Sequence, residues 1–321
     1  FMSKRIVVTG SGAVLGSAMK KISLEYKNYK FIFMNSKDCD LRNFDDTLSF
    51  FSKVKATHII HLAAVSGGIG LSMDHHGSML RDNILMTFSV LEAARKLNVE
   101  KVILTLTTGM YPESAPLPLN EDNIHDGEPH HTNYGSSYAK RINEPAIRGY
   151  RSEYGLNVIG LIPSGIFGVN DNFSDDAPML PSVIRRFYEN KDTKDNIVVW
   201  GDGSPLREYT YSEDMARAYM WALEEYNDEQ VLNVGTTEEN SIKEIAHMIS
   251  DIFSIDSSRL EFDTLKPAGI HRKNTDNSRF IELSNFRYTK FIDGLTNVCL
   301  WYSDMAKNNP EAIRLYGKNK G

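Results

Sequence analysis

Cysteine is nearly absent from this sequence of 321 residues, which contains only Cys39 and Cys299. Neither belongs to a recognisable cysteine motif, so the pattern excludes a disulfide framework and favours a reducing compartment. No apolar run reaches about 18 residues, the length that a membrane-spanning helix needs. The N-terminal segment lacks the pattern of a signal peptide and enters a strand-like stretch directly. We therefore expect a cytoplasmic protein without a membrane span.

An excess of positive charge is absent as well. The formal net charge is -6 and the sequence pI is about 5.9, so neither nucleic acid nor an anionic membrane is an expected partner. Anionic small ligands remain compatible with this charge if basic groups cluster locally. Repeats, low-complexity tracts and motifs of metal ligands are also lacking, and we predict no metal site. Hydrophobic residues at 41% and charged residues at 24% are ordinary for a globular chain.

Alternation of apolar strands and helices is the main feature that is present. The strand-like segments are KRIVVTG, YKFIFMN, THIIHLAA, VEKVILTLTT and LNVIGLIPSGIFG, with helical stretches between them. This order predicts an α/β fold with a Rossmann-type, doubly wound parallel sheet. After about residue 168 the pattern breaks into short pieces. We therefore predict a Rossmann domain over 1–168 and a smaller α/β lobe over 169–321, with segments such as VLNVG returning to the main sheet.

A glycine-rich turn follows the first strand, in VVTGSGAVLGSAM. Gly10, Gly12 and Gly16 have the spacing G-x-G-x-x-x-G, which differs from the usual Rossmann G-x-G-x-x-G. Glycines here permit a tight turn and let a pyrophosphate approach backbone N–H groups at a helix N-terminus. The alternative is a turn with a purely structural role. The position of the glycine motif directly after the first strand favours a dinucleotide site.

The end of the second strand lacks the acidic residue that would bind the ribose 2′-hydroxyl of NAD. The chain reads Met34-Asn35-Ser36-Lys37 instead. Lys37 could pair with a 2′-phosphate, so this segment favours NADP(H), although a solvated loop lysine is the alternative. Asp40 is a candidate to accept a hydrogen bond from the adenine amino group.

Longer motifs extend these single-site arguments over nearly the whole chain. They are NSKDCDLR, THIIHLAAVSGG, MLRDNILM, SYAKR, IPSGIFGVNDNF, LPSVIRRF, VVWGDGSPLREYTYSEDMA and FDTLKPAG. With them the chain resembles the extended short-chain dehydrogenase/reductases, and within these the GDP-L-fucose synthase branch. WGDGSPLRE is the most telling motif. Enzymes of that branch act on a GDP-4-keto-6-deoxy-mannose by 3,5-epimerisation and NADPH-dependent reduction at C4.

The resemblance implies a complete cofactor site. Its residues are Gly10, Ser11, Gly12, Ala13, Val14, Leu15 and Gly16 around the pyrophosphate, Ser36, Lys37, Asp40 and Leu41 after the second strand, Leu62, Ala63 and Ala64 on the adenosine side, Leu106 and Thr107 towards the nicotinamide ribose, Lys140 on that ribose, and Pro163, Ser164, Gly165 and Ile166 near the carboxamide. The family usually has glycine where this chain has Ala13.

The resemblance also implies how the substrate is held. The GDP moiety would contact Arg186, Trp200 and Arg207, and Thr108, Asn172 and Lys273 would complete the substrate site. Each arginine could instead be a surface residue, and the tryptophan a core residue. The helices at Asn83–Leu97 and Ser136–Tyr154 would pack against their copies in a homodimer.

Two departures from the family motif concern the epimerase step. The family has a cysteine and a histidine as the acid/base pair that inverts C3 and C5, because inversion needs a base and a proton donor on opposite faces. This chain has Gly109 at the cysteine position and Pro178, or Met179, at the histidine position. Neither group titrates, so epimerisation is not expected. The remaining candidates to substitute lie in segments expected to be polar loops: His75, His76, His130 and His131.

The third departure is Ser136, at the position of the tyrosine that donates a proton to the ketone oxygen in the family. Thr107 and Lys140 are retained, but a serine hydroxyl is a far weaker acid than a phenol. Tyr138 lies about 200° around the helix from position 136, and Tyr134 is expected ahead of the helix. Two explanations stay open: a tyrosine was replaced by Ser136, or the protein works through a serine, threonine or water relay.

Together these residues predict an NADPH-dependent reductase of the C4 ketone of a GDP-4-keto sugar, without epimerase activity. The sugar would be a 4-keto-heptose or a 4-keto-6-deoxyhexose. A bifunctional 3,5-epimerase/4-reductase is one alternative. A non-catalytic protein that binds a GDP-sugar or NADP(H) is the other.

Overall fold

The structure is a computed structural model that describes residues 3–67, 69–174, 177–266 and 269–315. The strands in these ranges are β1 (Lys4–Thr9), β2 (Tyr29–Phe33), β3 (His58–His61), β4 (Lys101–Thr105), β5 (Val158–Pro163), β6 (Ile166–Phe167), β7 (Ile197–Trp200), β8 (Leu206–Glu208), β9 (Thr210–Tyr211), β10 (Leu232–Val234), β11 (Glu239–Ser241) and β12 (Leu260–Asp263).

The helices complete the alternation. They are α1 (Val14–Ile22), α2 (Phe44–Val54), α3 (Ile69–Asp74), α4 (His76–Lys96), α5 (Tyr134–Arg141), α6 (Asn143–Tyr154), α7 (Met179–Asn190), α8 (Ser212–Glu225), α9 (Ile242–Ile252), α10 (Ser278–Ser284) and α11 (Phe291–Asn308). None of the described helices combines the length and apolar character that crossing a bilayer requires. Short 3₁₀ turns lie at Thr108–Met110 and His131–Asn133.

The central sheet has six strands in the order β10-β5-β4-β3-β1-β2, and every neighbouring pair is parallel. This confirms the predicted α/β fold. Strands that are covered on both faces read as continuous apolar runs, because alternate side chains enter cores on opposite sides. Val7 and Ile59 pack on one side of the sheet, whereas Val8 and Ile60 pack on the other.

Helices cover both faces of this sheet. Side chains of α2, α4 and α6 belong to the core on one face. Side chains of α1 and α8 belong to the core on the other face, together with Phe280 from α10. The strand order reverses between β1 and β3. In open α/β sheets this switch point leaves a crevice at the carboxyl ends of the strands, where ligands bind.

A smaller lobe has a core of its own, formed by α7, α9 and α11 against β7. Its strands pair as β7 with β12 and as β8 with β11, while β6 pairs with β9. Two elements from the C-terminal half of the chain lie on the main sheet: β10 pairs with β5, and α8 packs beside α1.

The predicted single helix over 136–154 is two helices, separated at Ile142. Pro145 explains the break, since proline lacks the N–H that would bond to the carbonyl four residues earlier, in Arg141. The first of the two helices also starts earlier than expected. Tyr134 is its first residue, so the prediction that Tyr134 precedes the helix is wrong.

Candidate active site

The glycine turn lies at the switch point, in contact with the end of β3. Gly10 has φ +66°, and a Cβ there would lie 2.6 Å from the backbone N of Ala63. A Cβ on Gly16 would lie 2.5 Å from Cα of Ser11. Backbone packing therefore requires glycine at both positions. Gly12 differs, because a Cβ there meets no atom within 4 Å. Its face of the turn opens onto the crevice.

Helix α1 begins directly after this turn and presents its first N–H groups without a protein cap. Its N-cap residue, Ala13, has no side chain that can accept a hydrogen bond, and no acidic residue lies in the first turn. Uncapped N–H groups and the helix dipole favour an anion at this end. The predicted residues from Gly10 to Gly16, with Val14 and Leu15 as the first helical residues, thus fit a pyrophosphate.

The segment after β2 carries the residues predicted to select the cofactor. Ser36 and Lys37 are exposed, whereas Leu41 is buried. Both carboxylate oxygens of Asp40 accept hydrogen bonds from Arg42, which lowers the pKa of Asp40. An adenine amino group would therefore share this carboxylate with Arg42, a partner that the sequence did not indicate.

The Thr9 hydroxyl ties the end of β1 to the end of β3. It accepts hydrogen bonds from the backbone N–H groups of Leu62 and Ala63, at 3.1 Å each. Its own hydrogen is thus directed to Nδ1 of His61, 2.8 Å away. The predicted adenosine-side residues Leu62 and Ala63 are held here, and Ala64 follows as an exposed residue.

His61 is a residue of this site that sequence reasoning missed. Its Nε2 is buried and has no hydrogen-bond partner among the described residues. Burial, followed by the nearby charge of Lys140, lowers the pKa of His61 to about 3. The imidazole is therefore neutral at physiological pH. With Nδ1 accepting from Thr9, the ring proton lies on the unpaired Nε2.

Lys140 lies on α5, with its ammonium at the end of β4. Its Nζ donates a hydrogen bond to the carbonyl of Thr105, at 3.1 Å. Desolvation by the surrounding protein lowers the pKa of Lys140 to about 8. The group is mainly protonated at neutral pH, yet it is far more acidic than an exposed lysine. Leu106, which follows β4, is buried beneath this position.

Ser136 lies one helical turn before Lys140, but its hydroxyl points back to the helix start. The Ser136 Oγ donates to the carbonyl of Asn133, at 3.1 Å. Neither nearby tyrosine shares its direction. The Tyr134 ring stacks on His76 with a centroid distance of 3.9 Å, and Tyr138 lies on the exposed side of the helix. No phenol among the described residues of α5 therefore replaces the missing one.

Gly109 lies in a polar recess between the end of β4 and α5. The Thr107 Oγ1 accepts a hydrogen bond from the Gly109 N–H at 3.3 Å. A Cβ on Gly109 would lie 3.2 Å from Nδ2 of Asn133 and 3.7 Å from Oγ of Ser137. The Asn133 Oδ1 and the Ser137 Oγ are buried without partners among the described residues. Both residues were missed by sequence reasoning, although Ser137 begins the SYAKR motif and Asn133 lies four residues before it. The neighbouring Thr108 is half-buried.

The two positions considered for the family's histidine carry no titratable side chain. Pro178 is the N-cap residue of α7, and Met179 is its first residue. Among the alternative histidines, His76 is the first residue of α4, so its assignment to a polar loop is wrong. His130 and His131 stack on each other, with ring centroids 4.4 Å apart.

The predicted nicotinamide side connects β5 to β6 and comprises Pro163, Ser164, Gly165 and Ile166. The carbonyl of Gly165 accepts a hydrogen bond from the N–H of Thr210, at 2.7 Å. A Cβ on Gly165 would lie 2.8 Å from the carbonyl oxygen of Glu208. This close approach requires glycine and joins the main sheet to the strands that carry WGDGSPLRE. Tyr209 lies against the same glycine, 3.6 Å from that Cβ position.

The cationic residues predicted to bind the substrate lie on the smaller lobe. Arg186, on α7, has a buried Nε without a hydrogen-bond partner among the described residues, and burial lowers its pKa. Arg207, on β8, is oriented by hydrogen bonds from Nη1 to the carbonyls of Leu206 and Ile270, both at 2.8 Å. Desolvation also lowers the pKa of Lys273.

Trp200 ends β7 with 57% of its surface exposed, which is unusual for a structural tryptophan. The Lys266 Nζ lies 5.7 Å from its ring centroid. A cavity of about 430 Å³ opens beside them, lined by residues that include Asp202, Lys266 and His271. Of the FDTLKPAG motif, Pro267 and Ala268 lie outside the described residues.

Asn172 lies in the loop before α7, next to a buried carboxylate. Its backbone N–H donates to Oδ1 of Asp171 at 2.7 Å, and its Oδ1 accepts from the N–H of Ser174 at 3.0 Å. Burial raises the pKa of Asp171 to about 6.

Comparisons with known proteins show which family model and which relatives match this chain. The model of the NAD dependent epimerase/dehydratase family matches residues 6–235. The GDP-L-fucose synthase of Dictyostelium discoideum is 34% identical over 309 residues, which cover 94% of this chain and 96% of that protein. The crystal structure of a GDP-L-fucose synthetase from Naegleria fowleri bound to NADP superposes with a TM-score of 0.90 at 31% identity, over 96% of this chain and 95% of the other.

A more distant structure shares the fold. It is MlghC, a GDP-mannoheptose C4 reductase from Campylobacter jejuni with NADP bound, with a TM-score of 0.84. It covers 94% of this chain and 98% of its own, at 22% identity. At that identity the likeness concerns the fold alone.

The open face of Gly12 generates a testable prediction. A Gly12→Leu variant should fold normally, because a Cβ at this position meets no described atom within 4 Å, but it should weaken NADPH binding by more than about tenfold by filling the anion cradle. Fluorescence titration with NADPH measures the affinity, and Tm reports the fold. Gly149→Leu is the matched control, since a Cβ at Gly149 also meets nothing within 4 Å. Equal NADPH affinity in both variants would contradict this placement of the pyrophosphate.

Proposed function

The chain belongs to the NAD dependent epimerase/dehydratase family, and on this premise we propose that it reduces the C4 ketone of a GDP-linked 4-keto sugar with NADPH. It is similar to GDP-L-fucose synthases over more than nine-tenths of its length. The observation that carries the proposal is the buried Nε of Arg186 on α7, which has no hydrogen-bond partner among the described residues. A buried donor without an acceptor is costly, and a diphosphate oxygen would supply the acceptor that this Nε lacks.

NADP(H) fits the crevice at the switch point. The uncapped start of α1 and the open face of Gly12 suit a pyrophosphate. Lys37 is exposed after β2 and offers a cation for a 2′-phosphate, while the Asp38 carboxylate is engaged by the backbone N–H of Asn35 at 2.8 Å. When bound, the cofactor supplies the hydride for the C4 carbon. We propose that residues 1–168 hold it, and that residues 169–321 mainly hold the GDP-sugar while contributing β10 and α8 to the main domain.

The GDP moiety would be held by three chemically different contacts. Arg186 and Arg207 offer planar guanidinium groups for the phosphate oxygens. Trp200 offers an exposed aromatic face for stacking. Because the sugar itself lies beyond these groups, they do not select it. A 4-keto-6-deoxyhexose and a 4-keto-heptose are both proposed substrates.

Reduction without epimerisation is the form of the reaction that the recess at Gly109 supports. Inversion at C3 and C5 needs groups that exchange protons with carbon. Gly109 has no side chain, and Pro178 and Met179 do not titrate. Thr107 keeps a hydroxyl that can polarise the ketone, a role that reduction requires.

We propose that Lys140 is the source of the proton for the ketone oxygen. Its ammonium gives one hydrogen bond to Thr105 and has others to give. Serine at position 136 ends its side chain well short of where a phenol would reach. A water molecule oriented by the Ser136 hydroxyl could bridge this gap. The hydride goes to C4, a proton passes from Lys140 through the water to the oxygen, and solvent reprotonates the amine.

Restoring the phenol tests the reaction. A Ser136→Tyr variant should turn over GDP-4-keto-6-deoxy-mannose about 10²–10⁴ times faster, the usual contribution of a positioned general acid. NADPH absorbance measures the rate, and NMR of product made in D₂O shows any deuterium on carbon. Neither C3 nor C5 should gain deuterium beyond an enzyme-free control. Deuterium at these carbons would establish epimerase activity instead, and NADPH binding without turnover in both chains would establish a binding protein.

The pH profile tests the proton source. Only the ammonium form of Lys140 can donate, so kcat of the Ser136 chain should fall as pH rises through about 8. His61, with a pKa of about 3, does not titrate in this range. A Lys140→Arg variant keeps the positive charge but does not release its proton in this pH range. Its kcat should therefore be low and should not fall between pH 7 and 9. An unchanged limb in that variant would assign the titration to another group.

A homodimer through α4, α5 and α6 is a further proposal about the assembly. Apolar side chains on α4 and at the junction between α5 and α6 are exposed in the single chain, with Leu85 at 43% and Ile142 at 37%. A double variant, Leu85→Glu and Ile142→Glu, should therefore shift the molecular mass from dimer to monomer in light scattering coupled to gel filtration. Leu24→Glu is the control, because Leu24 is 78% exposed on a different element. A monomer in the unmodified chain would contradict the proposal.

A further inference from the structure

Three metal-binding side chains meet outside the catalytic recess. They are Glu113, His130 and His131, and each offers a ligand atom within 4.8 Å of the others. The Glu113 Oε1 lies 3.5 Å from Nε2 of His130, and the two imidazole rings stack. Sequence spacing did not reveal this cluster, because Glu113 lies 17 positions before His130 in a different loop.

The backbone holds the two loops of the cluster side by side. Pro112 and Pro129 form an antiparallel bridge, and the N–H of Glu113 donates to the carbonyl of Glu128 at 2.9 Å. The buried guanidinium of Arg141 binds the carbonyls of Met110 and Gly127 from below. The ligand-bearing segments are thus positioned by the fold and not by the charges of the cluster itself.

We propose that Glu113, His130 and His131 form a site for Zn²⁺ or a similar borderline divalent cation. Two imidazoles and one carboxylate suit such ions, with water as the fourth ligand, whereas Mg²⁺ and Ca²⁺ prefer oxygen ligands alone. Tetrahedral bonds of about 2.0–2.1 Å would draw the ligand atoms to roughly 3.3 Å from one another. Glu113 and His131 are both exposed, so their side chains have room for this adjustment.

The Thr132 residue supports the ligand role of His130. Its backbone N–H lies 3.3 Å from Nδ1 of His130, and its hydroxyl lies 2.8 Å from the same atom. Without metal, Nδ1 accepts and the ring proton lies on Nε2, facing Glu113. When Zn²⁺ takes Nε2, the proton lies on Nδ1, so the Thr132 hydroxyl turns from donor to acceptor and the hydrogen bond from the Thr132 backbone N–H is lost. Such a partner orients a metal-bound imidazole and fixes its tautomer.

The location gives the ion a structural consequence for the catalytic residues. Glu113 belongs to the loop that leaves β4 through Thr107 and Gly109. His131 begins the 3₁₀ turn that leads directly into α5, which carries Ser136 and Lys140. A bound ion would therefore cross-link the two segments that form the polar recess, and would limit their motion relative to each other.

Calorimetric titration of the chelator-treated chain with Zn²⁺ tests the site. We expect one equivalent to bind, and Glu113→Gln and His131→Asn each to weaken binding by more than about tenfold. His125→Asn is the matched control, because His125 also pairs with a glutamate, Glu144, at 2.8 Å, but that pair is outside the cluster. Mg²⁺ should not bind.

Two readouts that do not depend on activity complete the test. Zn²⁺ should raise the Tm of the unmodified chain and of His125→Asn, but not of His131→Asn. It should also slow amide hydrogen exchange over 127–133. Absence of Zn²⁺ binding, or binding that survives both cluster substitutions, would overturn the proposal. Equal loss in His125→Asn would do so as well.

Discussion

The hydrogen bonds around the Thr9 hydroxyl are the constraint on which the rest of the dinucleotide site depends. They join the ends of β1 and β3 where the sheet order reverses, so that Gly10 can turn 2.6 Å from the backbone of Ala63. This glycine turn then sets where α1 begins and where the uncapped N–H groups of α1 point. The same bonds fix the tautomer of His61, whose neutral ring lies close to the Lys140 ammonium without competing for its proton.

Burial gives Lys140 a chemistry that its sequence position alone does not specify. An exposed lysine would remain protonated far above neutral pH, whereas desolvation brings this pKa to about 8. In a chain with a phenol at position 136, such a lysine would act mainly through its charge. With serine there, the same lowered pKa makes the ammonium itself a usable acid. In the proposed reaction, serine at position 136 therefore leaves Lys140 as the proton source.

The two lobes are joined by buried polar contacts as well as by apolar packing. The Asn233 side chain, on β10, accepts a 2.6 Å hydrogen bond from the Tyr111 hydroxyl and donates to the carbonyls of Leu119 and Asp276. Tyr111 belongs to the loop that leaves the recess at Gly109, and Asp276 follows the segment that carries Lys273. Because buried polar groups are costly to leave unpaired, these contacts restrict how the recess and the smaller lobe can be arranged.

Local pattern was sufficient for the alternating parallel sheet, the turn from Gly10 to Gly16 and the SYAKR helix, since continuous apolar strands and glycines between a strand and a helix are signals within a few residues. It misplaced Tyr134 and His76, because helix starts depend on packing that the sequence does not show. Local pattern did not reveal the unpaired Nε of Arg186 or the neutral imidazole of His61. It also did not reveal the meeting of Glu113 with His130 and His131. Each of these features arises where residues distant in the chain come together in a buried space or between two paired loops. The sequence therefore determined the fold class and the motifs. Tertiary structure alone decided the protonation states and the partners of these side chains.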